Sequence, residues 1–507
     1  MATRRKSQKL KSSHLFVISV IVGAVATLIF QFATTATRAT DIPGPFDPRL
    51  AQAATASDMN SLQALLEQGI DINSTTGDGS TALHWAAHLN DQEMTAFLLD
   101  NAAGVNIATD LGVTPLWLAA ENGSDTIIRS LLDAAADPNP KLLSGETPLM
   151  MASRSGNPLA VQLLIEHGAT VDAVENSQQQ TALMWAAAQR HAEVVRILLS
   201  AGANFAARSS TWVEVVQPAG AIPAVRDAIY EIVQGGFTAL LFAAQQGDVA
   251  VAQALLLSGA DVNDKAADGT SALVIAAHSG NGELARLLLD SGADPNLMGS
   301  GYAALHIAIG HQDLALVKAL IAAGANVNAA VISPTPARRD GRDHAISEQL
   351  VNTTPFWIAA QYRQTEILKE LIAAGADTSF TTESQDTVLM LAIDGREAFF
   401  KEETRGLVDP AEGERQALKL IAYALEIGVD INARNSNGDT ALHKAAARGY
   451  DGIVQYLAEH GAELEAVNAR GMTPLAYAMR LRGRGVGESA SSNISTEQLL
   501  KNLGATL

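Results

Sequence analysis

No cysteine occurs anywhere in the 507 residues. That absence excludes disulfides, thiolate zinc sites, c-type haem attachment and cysteine lipidation. Catalytic signatures are missing as well: there is no G-x-S-x-G, no Walker loop and no H-E-x-x-H. Basic residues are scarce, 35 against 54 acidic, for a formal net charge of -19. Six of them (Arg4, Arg5, Lys6, Lys9, Lys11, Arg38) sit in the first 39 residues, which hold no acid, so the remainder is more acidic still. A body of that charge repels phosphate backbones, and nucleic acid is not an expected partner. Hydrophobic residues make up 48% of the chain. Length alone would suggest three or four globular domains, unless an internal repeat replaces that count.

At the N-terminus, five basic residues precede an apolar run from Leu15 to Phe30 that continues weakly to Ala33. Charged and Thr-rich flanks, with no amphipathic period, predict an export signal whose basic end stays in the cytoplasm. Small residues at Thr34/Ala36 or Thr37/Ala39 suit a signal peptidase, and the run is almost long enough to stay as an anchor. The protein is therefore expected outside the cytoplasm, in a periplasm or its equivalent, either soluble or tethered to the inner membrane. The membrane is expected to matter only through this segment. The organisation read from the chain is a signal or anchor over 1–39, a linker over 40–47 and one array over 48–507.

The array is built on a phrase that returns: "TALHWAA" at 81, "TPLWLAA" at 114, "TPLMMAS" at 147, "TALMWAA" at 181 and "TALLFAA" at 238. It continues through "SALVIAA" at 271, "AALHIAI" at 303, "TPFWIAA" at 354, "TVLMLAI" at 387, "TALHKAA" at 440 and "TPLAYAM" at 473, after a degenerate "PRLAQAA" at 48. The period is about 33 residues, which signals a solenoid. Thr114 or Thr354 suits a helix N-cap and Pro115 or Pro355 the first helical position. Paired alanines let one short helix lie close to its neighbours. A second apolar run such as "EVVRILLSAGA" has helical spacing and stops at a glycine fit for a left-handed cap. Each unit thus reads as helix, turn, helix and hairpin-like loop. None can bury its apolar face alone, so stability must come from stacking.

With T-P-L-H-x-A-A and L-L-x-x-G-A-D-V-N in fixed order, the sequence resembles the ankyrin-repeat family, in an exported, bacterial-type form. The resemblance runs from about residue 48 to the end. It implies an all-α repeat solenoid, an ankyrin stack of about 12 helix-turn-helix units with hairpin loops. It also implies a concave surface of inner helices and hairpin tips that binds a protein partner. Three positions depart from the pattern. Ala102 and Ala135 replace the helix-ending glycine, so each must accept positive φ or turn differently. Ala303 replaces a capping threonine. The final "STEQLLKNLGATL" offers Ser495 as N-cap with Gln498 three residues later, after a Gly/Ser-rich linker.

No cofactor or metal is expected. His84, His306 and His443 stand in the fourth place of the phrase, suited to hydrogen bonding around the repeat's own turn. His167 and His460 stand where a ring can meet the last helical carbonyls. Trp85, Trp117, Trp185 and Trp357 read as packing between units.

Three insertions break the period, near 207–236, 330–353 and 395–417. The first two enter after a second helix and extend the hairpin side; the third separates the two helices of its unit. In the first, "TWVEVV" has strand-forming residues and "AVRDAIYEIV" reads as a short amphipathic helix, so a structured flap is expected. In the second, Arg338, Arg339, Arg342 and His344 form a basic island. In the third, a charged helix extension is expected. Partner-binding candidates at helix ends, hairpin tips and insertions are Leu89, Glu121, Asn122, Arg154, Trp212, Tyr230, Phe237, Gln245, Gln246, Tyr302, Arg338, Arg339 and Tyr362. The expected function is a non-enzymatic scaffold for an unknown protein partner, with the hairpin-side insertions setting specificity. The alternatives are a membrane-tethered structural scaffold and a small-ligand receptor with a pocket around Trp212 and Tyr230.

Overall fold

Each copy of the phrase becomes the start of a short inner helix. The computed structural model describes residues 46–218, 230–334, 336–337, 346, 348–379, 384–395, 410–482 and 488–506; the apolar run and most of the linker lie outside them. Thr114, Thr147, Thr181, Thr238, Thr354, Thr387 and Thr440 accept a hydrogen bond from the backbone N–H three residues on. Pro115, Pro148 and Pro355 occupy the first turn, where the missing N–H costs nothing. Ala303 makes no side-chain cap.

Among the described residues there are twelve helix pairs, from Arg49–Thr55 with Met59–Glu67 to Pro474–Arg482 with Glu488–Asn502. Inner helices pack on inner helices of neighbouring units, and outer on outer. The third place of the phrase supplies the spine of the core. Leu83, Leu116, Leu149, Leu183, Leu240, Leu273, Leu305, Leu389, Leu442 and Leu475 are each at most 2% exposed. Each such burial contributes roughly 1.5–3 kcal/mol. The alanine pairs Ala86–Ala87, Ala119–Ala120 and Ala243–Ala244 are fully buried where the helices meet. Ala102 and Ala135 keep the same turn as the glycines, with φ of 60° and 65°. They accept the left-handed strain rather than change the junction.

A row of amides joins the units. The Asn106 side chain accepts from Asp137 N at 2.7 Å and donates to Ala135 O at 3.3 Å. Asn139, Asn296, Asn328 and Asn432 repeat that double bond. Asn328 spans the second insertion to reach Asp377 and Gly375, so the stack passes that insertion without a break.

The ends differ from the sequence reading in one respect. Ser495 is not an N-cap: the last helix already runs from Glu488, and Ser495 and Thr496 donate from its interior to Asp451. No glycine or proline between 488 and 502 stops the helix from extending. The third insertion ends in a 17-residue helix, Pro410–Glu426, as its charged sequence suggested; residues 396–409 lie outside the described part.

The first insertion forms an antiparallel hairpin, β1 (Thr211–Pro218) and β2 (Tyr230–Gly235), with Val213 opposite Val233. The amphipathic-helix reading is thus corrected from Tyr230 onward: "YEIV" pairs with β1, and its β-branched residues suit that pairing. Residues 219–229 lie outside the described part. The second insertion supplies β3 (Pro336–Ala337), which pairs with Pro218 and Gln217, giving the sheet order β2-β1-β3. Insertions more than a hundred residues apart therefore meet. At the foot of the second, Ile332 N donates to Gly301 O at 2.7 Å. The four residues from there to Pro336 reach at most about 14 Å, while three units of the stack span roughly 30 Å at helix-packing distances. The arm must lean along the row of hairpins to make this contact.

Candidate interaction surface

The histidines of the phrase are structural. His84 Nδ1 accepts from Thr81 N at 3.1 Å, and Nε2 donates to Val113 O of the next hairpin at 3.0 Å. His306 does the same between Ala303 N (3.0 Å) and Ala329 O (2.8 Å), and His443 between Thr440 N (3.1 Å) and Met472 O (3.0 Å). Each ring ties its own turn to the following unit and is held in the neutral, Nε2-protonated form. Burial lowers the pKa of all three, that of His84 from 6.5 to about 4. His167 and His460 meet the carbonyls of Leu163 (2.8 Å) and Tyr456 (2.7 Å). Trp117, Trp185 and Trp357 are 5%, 7% and 8% exposed and belong to the core between units.

Several candidates on the inner-helix ends serve the stack as well as the surface. Asn122 is exposed, yet its side-chain N–H donates to Ala87 O at 3.2 Å and His88 O at 2.7 Å, closing the preceding helix. Two places further along their units, at the start of the outer helix, Asn157, Asn281 and Gln364 form a row that donates to the preceding unit at Gly123 O, Gly247 O and Ile309 O. This row was not identified from sequence, although an amide recurring at the helix–helix bend was its signal. Arg154 is half-buried, paired with Glu121 at 3.5 Å, and its guanidinium lies 5.8 Å from the Trp185 ring centre. Glu146, beside this group, has its pKa raised by burial.

Two candidates are not exposed tips. Tyr302 is 6% exposed, edge-on to His278 at 5.6 Å, because the chain entering the second insertion crosses its hairpin. Tyr362 is 7% exposed beside the buried Arg363, which donates to Ala392 O (2.7 Å) and Ile393 O (3.1 Å) of the next inner helix and so covers the bend. Phe237 is half-buried against Phe242. Leu89, Gln245 and Trp212 are exposed and Gln246 is half-exposed; Tyr230 begins β2, and Arg338 and Arg339 lie outside the described residues. The structure thus leaves an outward surface of helix ends around Leu89 and Gln245, with Leu111 and Leu143 on hairpin tips and the leaning arm beyond.

The arm has a built root. Arg208 donates to Gly236 O and Lys265 O, each at 2.8 Å, and pairs with Asp264, whose other oxygen accepts from Thr238 at 2.5 Å. Gly235 has φ of +85°, and a Cβ there would stand 2.2 Å from Ser210 O and 2.8 Å from the Trp212 ring. Only glycine fits that crossing.

A family profile described as "Ankyrin repeats (3 copies)" matches residues 50–142, 136–209, 234–330 and 411–487, and "Ankyrin repeat" matches 352–383. The chain belongs to the ankyrin-repeat family. Relatives of this ankyrin-repeat chain include "Ankyrin repeat and SOCS box protein 16" of Homo sapiens, 28% identical over 187 residues, covering 36% of this chain and 34% of that protein. Its Mus musculus counterpart is 30% identical over 127 residues, covering 25% of each. Alpha-latroinsectotoxin-Lt1a of Latrodectus tredecimguttatus is 25% identical over 150 residues, covering 29% of this chain and 9% of the toxin. The chain therefore spans about a third or less of each of these relatives. Among solved structures, the human ASB11 ankyrin repeat domain is 26% identical with a TM-score of 0.39, covering 48% of this chain and 98% of that one.

Ankyrin repeats are generally protein-interaction modules. Among the described residues of this one, no group of three or more His, Asp or Glu is placed to hold a metal, and no helix is long and apolar enough to cross a membrane.

Proposed function

We propose that this ankyrin-repeat protein is a non-enzymatic scaffold that binds a partner protein outside the cytoplasm, through its inner-helix and hairpin face, with the two hairpin-side insertions as specificity elements. The observation that supports the reading is the meeting of those insertions in one sheet, β2-β1-β3. Neutral growth of two surface loops gives no reason for them to pair, whereas a shared recognition element does. Rigid stacked units also present a preorganised surface, which limits the entropy lost on binding. The extracytoplasmic setting rests on the basic N-terminus and the apolar run 15–33, and N-terminal sequencing of the exported protein decides between a cleaved and an anchored form.

The test is capture of partners by the full chain beside a variant whose residues 211–235 are replaced by a tight hairpin. Loss of a defined partner from the variant, with the stack's helicity retained, supports the reading. Equal capture by both removes the insertion from the specificity role.

A further inference from the structure

An antiparallel sheet buries at least one face against another layer, and a lone two-stranded ribbon is marginal in water. In the arm one face is covered in part, with Val216 buried and Ile232 half-buried, and the other is open. On β1 the residues alternate, so Val213 and Val215 share a face, and Val233, directly opposite Val213, joins them. These valines are 59%, 61% and 44% exposed, so no layer among the described residues covers them. Trp212 on the other face is 48% exposed, while Val216 near the tip is buried. The arm is held at two places: its root is clamped by Arg208, and the end of β1 is paired with β3.

The charge of the face narrows what can cover it. Glu231 lies opposite Val215 on the valine face and Glu214 lies on the other. No lysine or arginine occurs in Thr211–Pro218 or Tyr230–Gly235. A second copy of the chain would bring another body of formal charge -19 to a face that already carries Glu231. Anionic phosphate groups are repelled for the same reason.

We infer that the Val213–Val215–Val233 face of the arm docks an amphipathic helix of a partner protein, with an apolar stripe on the valines and lysine or arginine beside Glu231. A helix suits the patch. Its side chains at i and i+4 stand about 5–6 Å apart, close to the spacing of cross-strand pairs and of alternate residues on one strand. The inference rests on the reading of the insertions as recognition elements and adds the chemistry of what they recognise.

The experiment uses the full chain and two labelled synthetic peptides, a leucine/lysine helix of 3.6-residue period and its leucine/glutamate counterpart, with binding read by fluorescence anisotropy. The expected result is at least tenfold tighter binding of the lysine peptide. A further tenfold loss is expected in Val213→Thr/Val233→Thr, which keeps β propensity, and a several-fold loss in Glu231→Gln. Hydrogen exchange across 211–235 verifies that the arm persists in each variant. Lysine-peptide binding that is unchanged in the threonine variant, or equal binding of the two peptides, overturns the inference. Arm-dependent dimerisation in sedimentation also overturns it, because the face is then covered by a second copy. None of these outcomes touches the scaffold reading, which is decided separately by capture with the 211–235 replacement.

Discussion

Mild acid should loosen this protein from within, at its histidines, and His84 gives the size of the effect. Folded, the ring is neutral and buried between Thr81 N and Val113 O, with its pKa lowered to about 4. Unfolded, it titrates near 6.5. Above pH 6.5 both states are neutral, and the histidine's contribution is intact. As the pH falls below 6.5 the unfolded chain gains a proton that the folded one refuses, so stability declines until about pH 4 and then levels. At about 1.36 kcal/mol per pH unit, the loss from His84 alone is about 2 kcal/mol at pH 5 and about 3 kcal/mol at pH 4, with a limit of about 3.4 kcal/mol below that. His84→Leu removes the titration but leaves Thr81 N unpaired and Val113 O with only its bond from Thr109 N, at a cost of roughly 1–3 kcal/mol near neutrality. Urea unfolding of both proteins at pH 7.5 and pH 5 tests this. The gap between them should shrink by about 2 kcal/mol at the lower pH. A gap of constant size would show that the ring is not held neutral by burial, and the clamp described for all three histidines would fall with it.

Three further outcomes follow from local geometry. Ala102→Gly and Ala135→Gly relieve left-handed strain of about 1–2 kcal/mol against an unfolded-state penalty of about 0.5–1 kcal/mol, so each should raise the midpoint of urea unfolding modestly. Ala303→Thr should restore the missing N-cap and add about 1 kcal/mol, read the same way. Asp264→Ala removes the carboxylate that Arg208 and Thr238 share, leaving Arg208 its two carbonyl partners, at about 2 kcal/mol for charge-assisted bonds; hydrogen exchange should quicken across 211–235 while units 2 to 4 stay unchanged.

Much of this protein was legible as text. The period of about 33 residues, the threonine caps and the helix-ending glycines are local statements, each readable within a few residues because caps and turns are set by neighbouring backbone. The same locality made the tryptophans readable as packing and the end of the third insertion readable as a helix. It failed where distant segments meet. "AVRDAIYEIV" has a helical period, yet Tyr230 onward is strand, because β1 offers a partner the window could not display. Tyr302 and Tyr362 stand at exposed places of the repeat, yet both are buried in the folded stack.

By itself, the sequence determined the unit, its number and the places where the array could grow. Stacking follows from those, since each unit exposes a face that only the next can cover. Only the tertiary structure decided that the two hairpin-side insertions join, that the arm leans along the stack and that its valine face is left open. Pairing of strands depends on proximity created by the solenoid, and no run of neighbouring residues encodes a distance across three units.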